Sequence, residues 1–458
     1  MAGSVIRGLG GALGFGETDL PRSDDGAFQI DARTVFAGGL NMFGQVYQGD
    51  EIWIATNGLI SFGDGFGEVP SVEGLDPRRD VIAPFWGDVD TRLVGEGPES
   101  GLVWVDMAGS VLTVTWQDVG RFRRDNDVTN LFQLQLTDRG GGDFDIAFAY
   151  ERIDWVYSTH EPDFGGQMIL SSARLPEAWA DGGAAGDLEV RTGNTGSQGR
   201  WLFEMRDGAV DGLAPVSGQA VFGSGEADTV TGGALDDVLR GFDGADILRG
   251  MAGDDWLFGG DGADTLNAAS GDDHIRGGSG TADLRDVIYG GAGHDDVDAG
   301  HGNDLVYGGS GDDTLEGGFG VDDLIGQAGD DVLSGGAWSD AIFGGDGMDF
   351  LNGGFGYDRL NGGSGADRFF HLGVADHGSD WVQDYRAAEG DVLVWGQGAS
   401  NPALFQINWA DTQGAGQSGV AEAFVIYKPT GQILWALVDG AAQEEINLMM
   451  AGVVHDLL

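Results

Sequence analysis

GGSGDDTLEGGFGVDDLIGQAGDDVL, residues 308–333, shows the repeat that specifies the fold of about a third of this chain. The stretch repeats every nine residues, with glycine favoured at the first, second and fourth positions, aspartate at the sixth and an apolar residue at the eighth. Sixteen such units and one four-residue insertion, within Gly277–Tyr289, fill residues 223–370. The sixth position is aspartate in every unit: Asp228, Asp237, Asp246, Asp255, Asp264, Asp273, Asp286, Asp295, Asp304, Asp313, Asp322, Asp331, Asp340, Asp349, Asp358 and Asp367.

The nine-residue unit predicts one turn followed by one very short strand. Its glycines tolerate positive φ angles and therefore form tight turns with accessible carbonyl groups. The last three residues form the strand, and the apolar residue in their middle points inward. Parallel stacking of such units produces a narrow coil with an apolar seam and aspartate-lined turns. The pattern therefore predicts a parallel β-roll over residues 223–370.

The aspartates of this coil need a counter-ion. Stacked turns are separated by a strand spacing of ~4.8 Å, and two carboxylates at that distance repel by about 1 kcal/mol even in water. A cation bound by carboxylate and main-chain carbonyl oxygens converts this repulsion into attraction, and flexible all-oxygen ligation favours Ca²⁺ over Zn²⁺ or Mg²⁺. In the alternative interpretation, the aspartates only solvate the turns of a metal-free coil. The candidate ligands are the sixteen aspartates and the turn glycines Gly262, Gly293, Gly311, Gly320, Gly347 and Gly356.

Composition limits the function of the chain. Its 458 residues are enough for two or three domains, and its net charge of −52 disfavours nucleic acid and anionic membranes as partners. The absence of cysteine excludes disulfides, zinc–thiolate centres and cysteine nucleophiles. The sequence contains no run of about 18 consecutive apolar residues, so it predicts no transmembrane helix. Residues 1–15 do not resemble a cleavable signal peptide.

The repeat pattern G-G-x-G-x-D-x-U-x closely resembles the RTX (repeats-in-toxin) family of Ca²⁺-binding β-rolls. The resemblance implies two units per coil, about eight coils, and Ca²⁺ between turns on the same side. It also implies a secreted, extracellular bacterial-type protein exported by the type I secretion machinery with an uncleaved C-terminal signal. Several units depart from the pattern, and we expect weakened or missing sites there, with a bulge or a break in the roll near residues 281–285. The departures are Glu226, Leu235, Trp338, Ala268, Met251 and Gln327.

Residues 371–458 predict a β-rich cap that also serves as the secretion segment. Asp380–Tyr385 followed by Glu389–Leu393 is similar to the segment that follows RTX rolls. A coil that ends in solution needs larger apolar residues to cover its last turn. Residues 424–427 and 433–438 predict a hairpin around Pro429-Thr430-Gly431.

Residues 1–215 predict a β-sandwich. Glu51–Phe62 has the pattern of a hairpin around Asn57-Gly58, and similar alternating runs follow it. The segments Gly14–Glu17, Leu20–Gly26, Thr56–Phe62 and Ile82–Arg92 resemble a nidogen-like (NIDO) domain, and the similarity continues to about residue 206. The resemblance implies a role in cell–matrix adhesion, with a matrix, cell-surface or glycan ligand and no catalytic residues.

An enzymatic function is the main alternative for the N-terminal region. Asp88 with Asp90, and Asp143 with Asp145, are carboxylate pairs of the kind that a polysaccharide hydrolase or a metal site needs. The region has one histidine, His160, and the whole chain lacks the H-E-x-x-H motif. Surface aromatics could stack on sugars, although tryptophans at alternating strand positions usually belong to a core. The candidates are Trp53, Trp104, Trp116, Trp155 and Trp179.

The sequence therefore predicts a non-enzymatic, secreted calcium-binding protein in which Ca²⁺ drives folding after export and the N-terminal domain mediates adhesion. A secreted hydrolase and a surface-layer or biofilm component are the alternatives.

Overall fold

The computed structural model describes residues 15–23, 26–66, 78–86, 89–91, 101–121, 125–153, 167–172, 175, 179–180, 195, 198, 200–210, 217–374, 377–397 and 401–458. The chain forms two compact units, Met1–Pro215 and Val216–Leu458. Among the described residues every regular element is a strand, apart from the short 3-10 helices Ala387–Glu389, Pro402–Leu404 and Gly440–Ala442. The predicted all-β class is confirmed. None of the helices in this part of the chain is long and apolar enough to cross a lipid bilayer.

The N-terminal unit contains fifteen strands in the described residues. They are β1 Thr18–Asp19, β2 Ala27–Ile30, β3 Leu40–Met42, β4 Gln45–Tyr47, β5 Ile52–Ala55, β6 Leu59–Phe62, β7 Val81–Trp86, β8 Val89–Asp90, β9 Leu102–Ala108, β10 Val111–Arg121, β11 Asp125–Gly140, β12 Asp143–Ile153, β13 Gln167–Ser171, β14 Trp179–Ala180 and β15 Arg200–Met205.

Two antiparallel sheets form the N-terminal unit. One has the order β1-β9-β10-β11-β12-β15 with β8 beside β10, and the other has the order β14-β13-β7-β6-β5-β2. Strands β5 and β6 form the predicted hairpin, with Ala55 opposite Leu59. The inward side chains of both sheets belong to one apolar core. Trp116 of the first sheet lies in this core, and its indole N–H donates to the Ala55 carbonyl of the second at 3.0 Å. The predicted sandwich is confirmed.

The C-terminal unit is built on two sheets that the chain visits alternately. One has the order β16-β18-β20-β22-β24-β26-β28-β30-β32-β34-β38-β39 and the other β17-β19-β21-β23-β25-β27-β29-β31-β33-β37-β36-β35. The strands are β16 Ala220–Phe222, β17 Thr229–Thr231, β18 Val238–Gly244, β19 Ile247–Arg249, β20 Trp256–Gly262, β21 Thr265–Ser270, β22 His274–Gly278, β23 Val287–Ala292, β24 Asp296–Gly300, β25 Leu305–Ser310, β26 Thr314–Phe319, β27 Asp323–Ala328, β28 Val332–Ala337, β29 Ala341–Asp346, β30 Phe350–Asn352, β31 Arg359–Ser364, β32 Arg368–His371, β33 Asp380–Val382, β34 Val392–Trp395, β35 Phe405–Ala410, β36 Glu422–Tyr427, β37 Gln432–Leu437, β38 Asn447–Met450 and β39 Val453–Asp456.

The coil holds two nine-residue units. Leu315 lies opposite Leu333 in one sheet, and Leu324 lies opposite Ile342 in the other, so parallel partners are 18 residues apart. The eighth-position side chains, from Val230 to Phe369, form a continuous buried seam. The predicted β-roll is confirmed, and it has about nine coils rather than eight, because β16 and β33 add a strand at each end of the repeats.

The four-residue insertion does not break the roll. Leu266 pairs with Ile288 across it, and His274 pairs with Asp296, so both sheets continue in register. Of the two outcomes expected near residues 281–285, the break is absent, and the extra residues form a longer turn. This turn still contacts the preceding coil, because the backbone N–H of Leu284 donates to the carbonyl of Gly262 at 2.7 Å.

The segment after the repeats continues both sheets. Strand β33 pairs in parallel with β31, and β34 with β32. The predicted hairpin is formed by β36 and β37. Large side chains, including Trp395 and Trp435, join the end of the apolar seam. The roll and the residues after it consequently belong to the same compact unit.

Candidate metal centre

The sixth-position aspartates form two columns, one along each edge of the roll. The first ladder contains Asp228, Asp246, Asp264, Asp286, Asp304, Asp322, Asp340 and Asp358. The second ladder contains Asp237, Asp255, Asp273, Asp295, Asp313, Asp331, Asp349 and Asp367. Within each ladder the backbone N–H of one aspartate donates to Oδ1 of the aspartate in the next coil, at 2.7 to 3.0 Å. The turns therefore present the carboxylates in register.

The second carboxylate oxygen of most ladder aspartates is buried without a partner. A buried acceptor that makes no hydrogen bond costs about 1–3 kcal/mol, and a charged one more. Unpartnered Oδ2 atoms belong to Asp246, Asp255, Asp264, Asp273, Asp286, Asp295, Asp304, Asp313, Asp322, Asp331, Asp340, Asp349 and Asp358. This arrangement calls for a proton or a cation at nearly every step of both ladders.

Burial raises the pKa of these carboxyl groups. The pKa is raised to about 8 for Asp286 and to about 7 for Asp273 and Asp313. Loss of solvation is the largest cause. The hydrogen bond from the neighbouring backbone N–H lowers the pKa, and the negative charges of adjacent coils raise it again. A divalent cation would reverse the balance by stabilising the ionised form.

Main-chain oxygens complete the donor set. A Cβ atom placed on Gly308 would meet Oδ2 of Asp313 and the carbonyl oxygen of Gly326, the latter at 2.9 Å. A carboxylate oxygen and a carbonyl oxygen of successive coils therefore border the same space. Within the described residues no three His, Cys, Asp or Glu side chains converge on one point. Each cation would be held by one or two carboxylates and by carbonyl oxygens, a set that suits Ca²⁺.

The six candidate glycines occupy equivalent places in this stack. A Cβ atom on Gly262, Gly293, Gly311, Gly320, Gly347 or Gly356 would collide with the carbonyl oxygen of the fourth-position residue in the preceding coil. Gly311, with φ of 124°, shows the backbone conformation that this close approach requires. The fourth-position carbonyls thus form a column along each edge, and their role as calcium ligands remains a prediction.

The first aspartate of each ladder, unlike most of those that follow, has hydrogen-bond partners for its carboxylate. Oδ2 of Asp228 accepts hydrogen bonds from the backbone N–H and the hydroxyl of Ser224, both at 2.6 Å. Asp237 accepts from the backbone N–H groups of Gln219 and Gly233. The first two units, which carry Glu226 and Leu235 at the fourth position, therefore satisfy their carboxylates with the chain itself.

Three of the other departures from the repeat carry backbone strain. Met251, Gln327 and Trp338 have φ of 88°, 83° and 91°. A backbone with such positive φ angles costs a residue that has a side chain roughly 1–2 kcal/mol. The stack therefore imposes the glycine conformation even where glycine is absent. The remaining departure, Ala268, is fully buried in the apolar seam.

Comparison with protein families agrees with this geometry. The family model for the RTX calcium-binding nonapeptide repeat matches residues 222–257, 249–284, 281–315, 307–342 and 343–377. The nidogen-like domain model matches residues 104–207. The chain contains RTX calcium-binding repeats and a nidogen-like domain. The matched part of the nidogen-like domain covers β9 to β15, and the motifs between Gly14 and Trp86 precede it.

Sequence analysis missed three aspartates of the C-terminal unit. Asp380 and Asp391 lie outside the repeats but continue the two ladders, because Arg359 pairs with Trp381 and Arg368 pairs with Val392. The signal was present, since Asp380-Trp381-Val382 and Asp391-Val392-Leu393 both repeat the order aspartate, any residue, apolar residue. The insertion supplies the third, Asp283, whose Oδ2 is also buried without a partner. Its position off the nine-residue period left no signal.

The N-terminal carboxylates do not form a comparable site in the described residues. Asp145 is buried, and its carboxylate accepts hydrogen bonds from Arg139 and Arg206. Asp143 accepts from the backbone N–H of Asp207 at 2.8 Å. These contacts give the pair a structural role. Asp88 and His160 lie outside the described residues, as does the side chain of Asp90.

The tryptophans of the N-terminal unit belong mostly to its interior. Trp104 and Trp116 are buried, and the half-buried Trp53 donates from its indole N–H to the carbonyl of Gly63 at 3.0 Å. The two buried rings offer no face for stacking on a sugar. Trp155 and the side chain of Trp179 lie outside the described residues.

Proposed function

We propose that Ca²⁺ drives the folding of the roll by binding between its stacked turns. The observation that carries this proposal is the column of buried, unpartnered carboxylate oxygens along each edge. Without a cation, ionised aspartates stack at the strand spacing, and few of them have a positive side chain nearby, as Asp304 has in Arg285. A protein that retains this arrangement requires the cation in its folded state.

The proposed binding makes folding depend on the compartment. With a Kd of ~10⁻⁴ M for each site, ~1 mM Ca²⁺ stabilises the folded state by about 1.4 kcal/mol for each site, whereas sub-micromolar Ca²⁺ contributes almost nothing. Several sites together reach the stability of a whole domain, ~5–15 kcal/mol. The roll is therefore unfolded in the cytosol and folds outside the cell. This behaviour suits export by the type I secretion machinery through a C-terminal signal within residues 371–458.

The nidogen-like domain supplies the contact with the surroundings in this proposal. It acts without catalysis, as an adhesion module for matrix, cell-surface or glycan ligands. The family assignment supports this role, and so does the fixed ion pairing of Asp145, which leaves no reactive carboxylate there.

Far-UV circular dichroism of the full chain during a Ca²⁺ titration tests the proposal, with Mg²⁺ as the control. We expect a cooperative gain of β-structure near millimolar Ca²⁺ and none with Mg²⁺. A roll that is fully folded in a chelator would contradict it.

Binding and turnover assays separate adhesion from catalysis. We expect retention on matrix proteins, cells or glycans without hydrolysis of polysaccharides. Hydrolysis that is lost in Asp88→Ala or Asp90→Ala, with the fold intact, would show that the domain is an enzyme. Calcium-dependent growth of particles in light scattering would instead indicate a surface-layer or biofilm component.

A further inference from the structure

Asp380 lies at the junction between the last repeat and the residues after it. It is the first residue of β33, and its neighbour Trp381 pairs with Arg359 of β31. This register places Asp380 one coil beyond Asp358, the last aspartate of the first ladder. The RTX family match ends at residue 377, so Asp380 is not part of a repeat.

Asp380 is completely buried, and both of its carboxylate oxygens lack a hydrogen-bond partner. Oδ2 of Asp358 is in the same state. The register of β31 and β33 places the two carboxyl groups at neighbouring positions of the first ladder. Ionised carboxylates only accept hydrogen bonds, so a proton or a cation must lie between them. Among the described residues, no Arg, Lys or His contacts either of the unpartnered groups.

The second ladder ends in a different way. Oδ1 of Asp391 accepts from the backbone N–H of Asp367 at 3.0 Å, and Oδ2 accepts from the backbone N–H of Arg386 at 2.6 Å. Both oxygens of Asp391 are thus satisfied by the chain. The second ladder therefore ends in a carboxylate that is fully hydrogen-bonded, whereas the first ladder ends in one, Asp380, that has no hydrogen-bond partner.

We propose that Asp358 and Asp380 hold an additional Ca²⁺ at this junction, outside the repeats, and that the second ladder has no counterpart at Asp391. The inference rests on the proposed calcium binding of the roll and extends it to the residues that cover its end. The ion ties β33 to the last repeat, and β33 in turn pairs with β37. Calcium therefore orders the C-terminal segment directly as well as the repeats.

Equilibrium dialysis of the full chain with ⁴⁵Ca²⁺ tests the site. We expect Asp380→Asn to bind one ion fewer than the wild-type protein and Asp391→Asn to bind the same number. Asn has the shape of a protonated Asp and keeps one neutral oxygen but loses the charge, so it tolerates a site that holds a proton and weakens one that holds Ca²⁺. An unchanged number of ions in Asp380→Asn would overturn the inference and identify Asp380 as a neutral, hydrogen-bonded acid.

A second comparison leaves Asp380 unchanged. Asp340 faces a coil on either side within the repeats, and its replacement by Asn removes a ligand from two steps of the ladder. If the Asp380 site exists, Asp358→Asn also weakens two steps, and the two variants lose equal numbers of ions. A smaller loss in Asp358→Asn would overturn the inference. A wild-type protein that binds no Ca²⁺ would instead refute the proposed function itself.

Discussion

Asp145 in the N-terminal sandwich and Asp313 in the roll are both buried aspartates, yet the chain treats them in opposite ways. Asp145 lies between two guanidinium groups, whereas Oδ2 of Asp313 has no partner. Burial raises the pKa of both, but at Asp145 the hydrogen bonds from Arg139 and Arg206 outweigh it and hold the pKa below its ordinary value. The pKa of Asp313 is raised to about 7.

The difference shows how each unit obtains its counter-charge. The sandwich uses arginines of its own chain, so its folded state is complete in any solution. The roll uses two ladders of aspartates whose compensation must come from solution. A repeat that supplied one arginine for each aspartate would fill the turns with long side chains, and the close contact between coils leaves no space for them.

Acidification of the metal-free protein gives the largest expected effect, because many ladder aspartates contribute together. A group whose folded pKa is raised stabilises the fold below its ordinary pKa and loses that contribution as the pH rises through the folded pKa, with a slope of about 1.4 kcal/mol per pH unit. The folded values lie between about 6 and about 8. The metal-free roll should therefore gain stability between pH 8 and pH 4, as measured by hydrogen exchange over residues 217–458.

The Asp145 cluster provides the internal control for acidification. Its folded pKa is lowered, so its contribution is present above the ordinary pKa and is lost as the pH falls below it. Exchange over residues 200–210 should not slow on acidification beyond the intrinsic change of the amide rate. A metal-free roll that weakens from pH 8 to pH 5 would show that its aspartates have other partners.

The second largest effect is expected from replacing one buried aspartate in the roll and one in the sandwich by asparagine. With saturating Ca²⁺, Asp313→Asn weakens two steps of the second ladder and should destabilise the roll by about 3 kcal/mol. In a chelator, where the roll folds only as acid neutralises the ladders, the same change removes an uncompensated charge and should raise the pH at which the roll folds. Asp145→Asn should destabilise the sandwich by about 1–2 kcal/mol under both conditions, a modest value because its arginines are partly exposed.

Urea unfolding in Ca²⁺ and acid titration in a chelator, each followed by hydrogen exchange in the roll and in the sandwich, distinguish these cases. The change in stability caused by Asp313→Asn should reverse its sign between Ca²⁺ and chelator. The change caused by Asp145→Asn should keep the same sign in both. Equal destabilisation by Asp313→Asn in Ca²⁺ and in chelator would remove the distinction between the two kinds of buried aspartate.

The turn glycines give the smallest expected effect. Gly311 has φ of 124°, and a Cβ atom there would meet the carbonyl oxygen of Gly293. Gly311→Ala should destabilise the calcium-loaded roll by about 1–2 kcal/mol. Gly225 has open space around its Cβ position, so Gly225→Ala should change stability by less than about 0.5 kcal/mol. Comparable thermal shifts in the two variants would show that close stacking does not constrain Gly311.

The roll could be predicted from the amino-acid sequence alone. A strict nine-residue period places the inward residue, the turn glycines and the aspartate of every unit, because each unit contacts only the units beside it. The period also predicted the seam from Val230 to Phe369 and the columns of carboxylates. Local repetition fixes such a fold, since the same contact is formed in every coil.

Which carboxylates lack a hydrogen-bond partner depends on the three-dimensional packing and could not be predicted from the sequence. Asp228, Asp237 and Asp391 are closed by backbone N–H groups, whereas Asp380 is open, and no local pattern distinguishes these cases. The arginine pairing of Asp145 likewise joins residues as far apart as Arg139 and Arg206 in the chain. Such partners meet through the packing of whole strands and turns. A sequence period records what neighbouring units share, but the contacts at the ends of the roll and in the sandwich occur only once.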